Sequence, residues 1–140
     1  MTGIPDLSPC DYVSRDPSFV AVGWIDRKGG YPAGETAPVV FEKLEELCRN
    51  PWQPFASAGY HECTLCQFHN ARFKGELYVP GAGCIYVAPI GILHYIGAHR
   101  YRPPEIFMEA VLACPPMRSM EYKKALLANG GRSLVVAAKR

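Results

Sequence analysis

Two thiols three positions apart, Cys63 and Cys66, close the stretch Gly59-Tyr60-His61-Glu62-Cys63-Thr64-Leu65-Cys66. A turn with Cys at both ends aims its sulfurs at one point, and an imidazole, His61, lies just upstream. Thiolate and imidazole are preferred ligands of zinc, usually four in a tetrahedron. The spacing predicts half of a zinc site, and the rest of the chain must supply the other half.

At 140 residues the chain is long enough to bury a core without help, so a metal would reinforce the fold locally. A formal charge of +2 is too small to predict a polyanion partner. No apolar run approaches the roughly 18 residues of a membrane span, and no basic segment followed by an apolar core marks a signal peptide. The expectation is a cytoplasmic protein. In a reducing compartment its six cysteines point to metal or redox chemistry rather than three disulfides. Cys48, Cys84 and Cys114 read as buried small hydrophobes. Cys10 has no assignment.

The predicted architecture is a small α+β domain over residues 19–140, preceded by an extended arm over residues 1–18. Phe19 to Trp24 reads as a strand. The loop Asp26-Arg27-Lys28-Gly29-Gly30 lacks the Gly-Lys-Ser/Thr ending of a phosphate cradle. A helix is predicted from Pro38 to Cys48, with Val40, Phe41, Leu44, Leu47 and Cys48 as its apolar stripe. Its acidic residues, Glu42, Glu45 and Glu46, read as a solvated face rather than catalytic carboxylates. Gly75–Val79 and Cys84–Ala88 form a hairpin around Pro80-Gly81-Ala82-Gly83. A second helix is expected from Pro89 to Ala98 and a third after Pro103-Pro104. The fourth is capped by Ser119 and stops at Asn129-Gly130-Gly131. Ser133 to Ala138 is expected to add an edge strand.

Knuckle, hairpin, helix is the order of the treble-clef zinc module, where the helix returns two ligands. Here the second helix offers His94 and His99, at a spacing known for paired zinc histidines. Five residues thus compete for four places. Cys63, Cys66 and His94 come first. His99 lies about 140° round an ideal helix from His94, whereas His61 is already beside the thiols, so the expected metal set is Cys63, Cys66, His94 and His61. His69 reads as a surface imidazole. A thiol-redox role would place the two cysteines at the opening of a helix; Leu65 and the loop-like surroundings make it the weaker third reading, and a zinc deaminase would need a Pro-Cys-x-x-Cys that is not present.

Val20 to Trp24, Gly59 to Cys66, and His94-Tyr95-Ile96-Gly97-Ala98-His99 followed by Tyr101-Arg102-Pro103-Pro104 resemble a family of small bacterial proteins of unknown function. The resemblance runs from about Val20 to Pro116. It implies a shared fold and a metal site, and lends no catalytic role to any residue.

Two thiolates weaken a metal's pull on bound water, which favours a structural site. The expected function is therefore a zinc-stabilised module that binds a protein or a nucleic acid, with no membrane role. The alternative is a metal-dependent hydrolase or nuclease with an open coordination position and Glu62 or His69 as base. The hairpin carries no histidine, which speaks against a nuclease. His99-Arg100-Tyr101-Arg102 and the basic residues from Arg118 onward could meet phosphate or a stacked base, although a solvated basic face is the simpler reading of them.

Overall fold

Apolar runs rich in β-formers pair into a sheet at the centre of the protein, which a computed structural model describes over residues 3–10, 16–54, 60–68 and 70–138. In chain order the elements are β1 (Phe19–Ala21), α1 (Pro38–Arg49), β2 (His61–Glu62), β3 (Arg72–Phe73), β4 (Glu76–Pro80), β5 (Ile85–Pro89), α2 (Ile92–His99), α3 (Glu105–Ala113), α4 (Met120–Ala128) and α5 (Arg132–Ala138). Among the described residues this is a mixed α+β domain of five helices and two small sheets; the α+β class is the one expected.

The expected hairpin forms between β4 and β5, with Pro80 opposite Ile85 and Glu76 opposite Pro89. Gly81 N–H donates to the Cys84 carbonyl at 2.8 Å and closes the turn. Gly83 sits at φ 80°, a conformation that costs glycine nothing. Cys84 belongs to this turn rather than to a strand, and is half-buried. β5 is the middle strand, with β1 parallel on its other side. Every residue of β4 and β5 is buried, so the hairpin reads as continuous apolar runs rather than as alternation. The N-terminal segment runs along β1. Ile4, Leu7 and Cys10 N–H groups donate to the carbonyls of Trp24, Ala21 and Phe19, which covers an edge that would otherwise expose unpaired backbone.

The helices follow their apolar spacing. α1 buries Val40, Leu44 and Leu47 and packs on α3, which buries Phe107, Met108 and Val111. Cys48 is only half-buried at the edge of that stripe, while Cys10 and Cys114 are fully buried. Ser119 caps α4, its Oγ accepting from Tyr122 N–H at 3.1 Å. The helix after the hairpin starts at Ile92 rather than Pro89, because Pro89 completes the pairing of β5.

Two features depart from the expectation. Residues 133–138 are not an edge strand; they lie in α5. Leu134 and Val135, adjacent in sequence, are both buried, which a helix flank can do and a half-exposed strand cannot. Gly130, at φ 96°, folds α5 back on α4, and Gly131 N–H donates to the Leu126 carbonyl at 2.7 Å. Secondly, β2 and β3 form a two-stranded ribbon at the base of the knuckle, pairing His61 with Phe73 and Glu62 with Arg72. Two residues per strand are too few to leave a periodic signal.

Tyr122 ties α4 to the sheet: its buried hydroxyl donates to the Tyr78 carbonyl at 2.6 Å. Tyr122→Phe is expected to strand that acceptor and cost about 1–2 kcal/mol. Urea unfolding should show a lower midpoint with an unchanged slope; an unchanged midpoint would mean the bond contributes nothing net.

Candidate metal centre

The β2–β3 ribbon holds the knuckle between its strands. Cys63 N–H donates to the Ala71 carbonyl at 2.8 Å, extending the ribbon one step beyond Glu62. Thr64 Oγ1 accepts from Arg27 N–H at 3.0 Å, which docks the loop after Trp24 against the turn. Cys63 is buried and Cys66 half-buried at its two ends.

The opposing helix is aimed by its entry and its exit. Ile90 N–H donates to the Gly75 carbonyl at 3.1 Å. At Gly91 a Cβ would lie 2.5 Å from the Phe73 ring, so only glycine lets α2 begin this close to β3. The His94 ring then lies 5.2 Å from the Phe73 ring, centre to centre. At the exit Arg100 adopts φ 55°, a left-handed stop that leaves His99 as the last helical residue. Tyr101 N–H donates to the Tyr95 carbonyl at 3.1 Å, and Tyr31 Oη donates to the His99 carbonyl at 2.7 Å.

These constraints bring Cys63, Cys66, His94 and His99 together, with one ligand atom from each inside a group no more than 4.8 Å across. His99 Nε2 lies 3.3 Å from Cys63 Sγ, 3.7 Å from Cys66 Sγ and 3.1 Å from His94 Nε2. Cys66 Sγ lies 3.3 Å from His94 Nε2. One imidazole nitrogen has a single N–H or a single lone pair, so it cannot satisfy three partners by hydrogen bonding. A shared cation can. Zinc bonds of about 2.0–2.1 Å to nitrogen and about 2.3 Å to sulfur imply tetrahedral edges of about 3.3 Å between nitrogens and about 3.6 Å from nitrogen to sulfur. The four distances just given lie close to those figures, and the cluster could hold a metal ion.

The protonation states fit as well. Burial lowers the pKa of His94, with the His99 charge adding to it, so its ring favours the neutral form that binds metals. Burial raises the pKa of Cys63; the Leu65 N–H works against this and Cys66 reinforces it. Without a cation the thiol keeps its proton, so metal binding must displace it.

The expected set therefore divides. Cys63, Cys66 and His94 lie in the cluster, and His61 does not. Strand pairing turns the His61 ring inward on the ribbon face shared with Phe73, where it packs edge-on against Trp24 at 4.8 Å. Its Nε2 is 3.7 Å from Glu76 Oε1. His99 is the fourth member of the cluster instead. The angle of about 140° along an ideal helix argues against it only if side chains stand radially. Side chains lean towards the helix N-terminus, and Nε2 lies at the far tip of the ring, so the two tips can meet. The spacing of His94 and His99 was the usable signal. Glu62 is exposed, and His69 lies outside the described residues.

Gly91→Ala is expected to force α2 away from Phe73 at a cost of about 1–3 kcal/mol, as overpacking does. Thermal unfolding checks the cost. A melting temperature within a degree of the parent would show that the close approach is dispensable.

No curated protein and no solved structure matches the chain. A family model does match, over residues 2–112. That span includes the knuckle, the hairpin and α2, ends within α3, and leaves α4 and α5 beyond it. With all four cluster residues inside the matched span, the chain belongs to this family, a domain of unknown function (DUF7919).

Proposed function

We propose that the cluster holds one zinc ion in a closed structural site, and that the protein is a small interaction module for a protein or nucleic-acid partner. One observation carries the metal reading: two sulfurs and two imidazole nitrogens, from elements far apart in sequence, converge within 4.8 Å. A set of two cysteines and two histidines with tetrahedral edges is the donor set of structural zinc. The ion would clamp the knuckle to α2, where β2 and β3 alone pair too few residues to be rigid.

The surface around the clamp supports the module reading. Phe68 is 92% exposed and Tyr60 66% exposed. The ribbon pleat places Tyr60 and Lys74 on the outer face with Arg72, and Lys74 Nζ sits 5.7 Å from the centre of the Tyr60 ring. Aromatic rings interleaved with cations suit a partner more than a solvated loop. The hydrolase reading has less support. Four protein ligands leave no position for water, and Glu62 faces outward across from Arg72.

Purified protein is expected to carry one zinc per chain by elemental analysis. Cys63→Ser, Cys66→Ser and His99→Ala should each reduce that content, while His61→Ala should retain it. Retention of full zinc by His99→Ala would remove the fourth ligand from the reading. Zinc at about a thousand times its dissociation constant adds about 4 kcal/mol. At about 3 °C per kcal/mol for a domain of this size, chelation should lower the melting temperature by about 12 °C.

Affinity for zinc should rise with pH through the neutral range, because the raised Cys63 pKa keeps the thiol protonated and binding must expel that proton. Calorimetry in buffers of different ionisation enthalpy reads the proton release directly. A buffer-independent heat would show thiolates already formed before the metal arrives.

A further inference from the structure

The end of the protein formed by α4 and α5 carries a second site that shares no residue with the metal cluster. A cavity of about 280 Å³ opens there, with Trp52, Tyr122, Leu126 and Val135 as its apolar wall and Arg118 and Lys123 at its rim. Tyr122, Leu126 and Val135 are buried, and Trp52 is braced edge-on by Tyr78 and Tyr122 at 6.3 and 6.0 Å. The walls are therefore preformed. Arg118 adopts φ 68°, a strained setting for a residue with a Cβ, and its guanidinium donates to the Pro51 carbonyl at 3.3 Å.

α4 shows the same character on its outer side. It buries one stripe, Tyr122 and Leu126, as a surface helix should. A second stripe, Met120, Lys123, Lys124 and Leu127, recurs at positions i, i+3, i+4 and i+7, the spacing of one helix face. Met120 is 61% exposed and Leu127 46% exposed. Charge is segregated too. From Pro115 onward the chain has six Lys or Arg against one acidic residue, Glu121, while the preceding 114 residues have nine against twelve.

We infer that this face binds an acidic peptide segment of a protein partner, with one bulky apolar side chain in the cavity and carboxylates on Arg118, Lys123 and Lys124. The cavity is the size of a single large side chain, and an apolar wall with a cationic rim selects an apolar anchor flanked by negative charge. Nucleic acid fits less well, because Met120 and Leu127 offer it nothing to pair with. The inference does not rest on the metal: the site shares no residue with the cluster, and all of its lining but Trp52 lies beyond the family-matched span.

The test pans the zinc-loaded full chain against random dodecapeptides on phage, and measures recovered peptides by fluorescence anisotropy. Recovered sequences are expected to combine Asp or Glu with an aromatic or Leu anchor. Replacing the anchor by Ala should weaken binding at least tenfold. The double variant Arg118→Glu/Lys123→Glu should weaken it similarly, as should Ala138→Phe, which narrows the cavity mouth from an exposed position. Zinc content and melting temperature of both variants should match the parent, so a loss of binding reports the surface and not the fold. Recovery of no acidic, anchored sequence, or equal binding by the variants, overturns the inference. So does tighter binding of an oligouridylate or of phosphatidylserine vesicles to the same residues.

Discussion

Strand β5 bonds to a neighbour on each side and is buried along its whole length, and both halves of the cluster take their positions from it. At its C-terminal end the chain passes through Ile90 and Gly91 directly into α2, so the direction of the helix follows from the strand. Alongside it, β1 leads into Trp24, whose Nε1–H donates to the Val87 carbonyl at 2.8 Å. The indole then meets His61 edge-on and so sets the inner face of the β2–β3 ribbon. Bonded on both sides, β5 cannot slip without breaking two ladders at once. That rigidity reaches the metal centre through one helix and one ring contact.

The centre itself is frustrated without a cation. His99 Nε2 crowds both thiols and the His94 ring tip, and Cys66 crowds His94, at 3.1–3.7 Å, while burial discourages thiolate at Cys63. A divalent ion bound as proposed would turn that crowding into bonds and reverse the electrostatic preference. Packing draws the four side chains together, and an ion bound as proposed would fix them and link folding to metal binding.

The remaining chemistry is divided between two ends. Near the cluster, Tyr60 stands with Arg72 and Lys74 on the outer face of the ribbon, and Phe68 is exposed. At α4 and α5, a cavity and a basic apolar helix face stand apart from any ligand residue. The buried polar pair, His61 and Glu76, belongs to neither end. It lies under the ribbon and links the knuckle to the start of β4.

The sequence by itself determined the elements with strong local signals: the hairpin around Pro80–Gly83, the stripe of α1, the Ser119 cap, and the convergence of thiols from a knuckle with a histidine from the next helix. Turn chemistry, helical spacing and capping act over a few residues, and the order of knuckle, hairpin and helix can be read along the chain. Tertiary structure decided the rest. Leu134 and Val135 became a helix because Gly130 and Gly131 turned the chain back against α4. His61 turned inward because a ribbon only two residues wide paired it with Phe73. His99 became the fourth member of the cluster because the left-handed stop at Arg100 and the close approach at Gly91 placed the tip of its ring beside the thiols. Each outcome depends on where distant backbone lies, and neither proximity along the chain nor the geometry of an ideal helix contains that information.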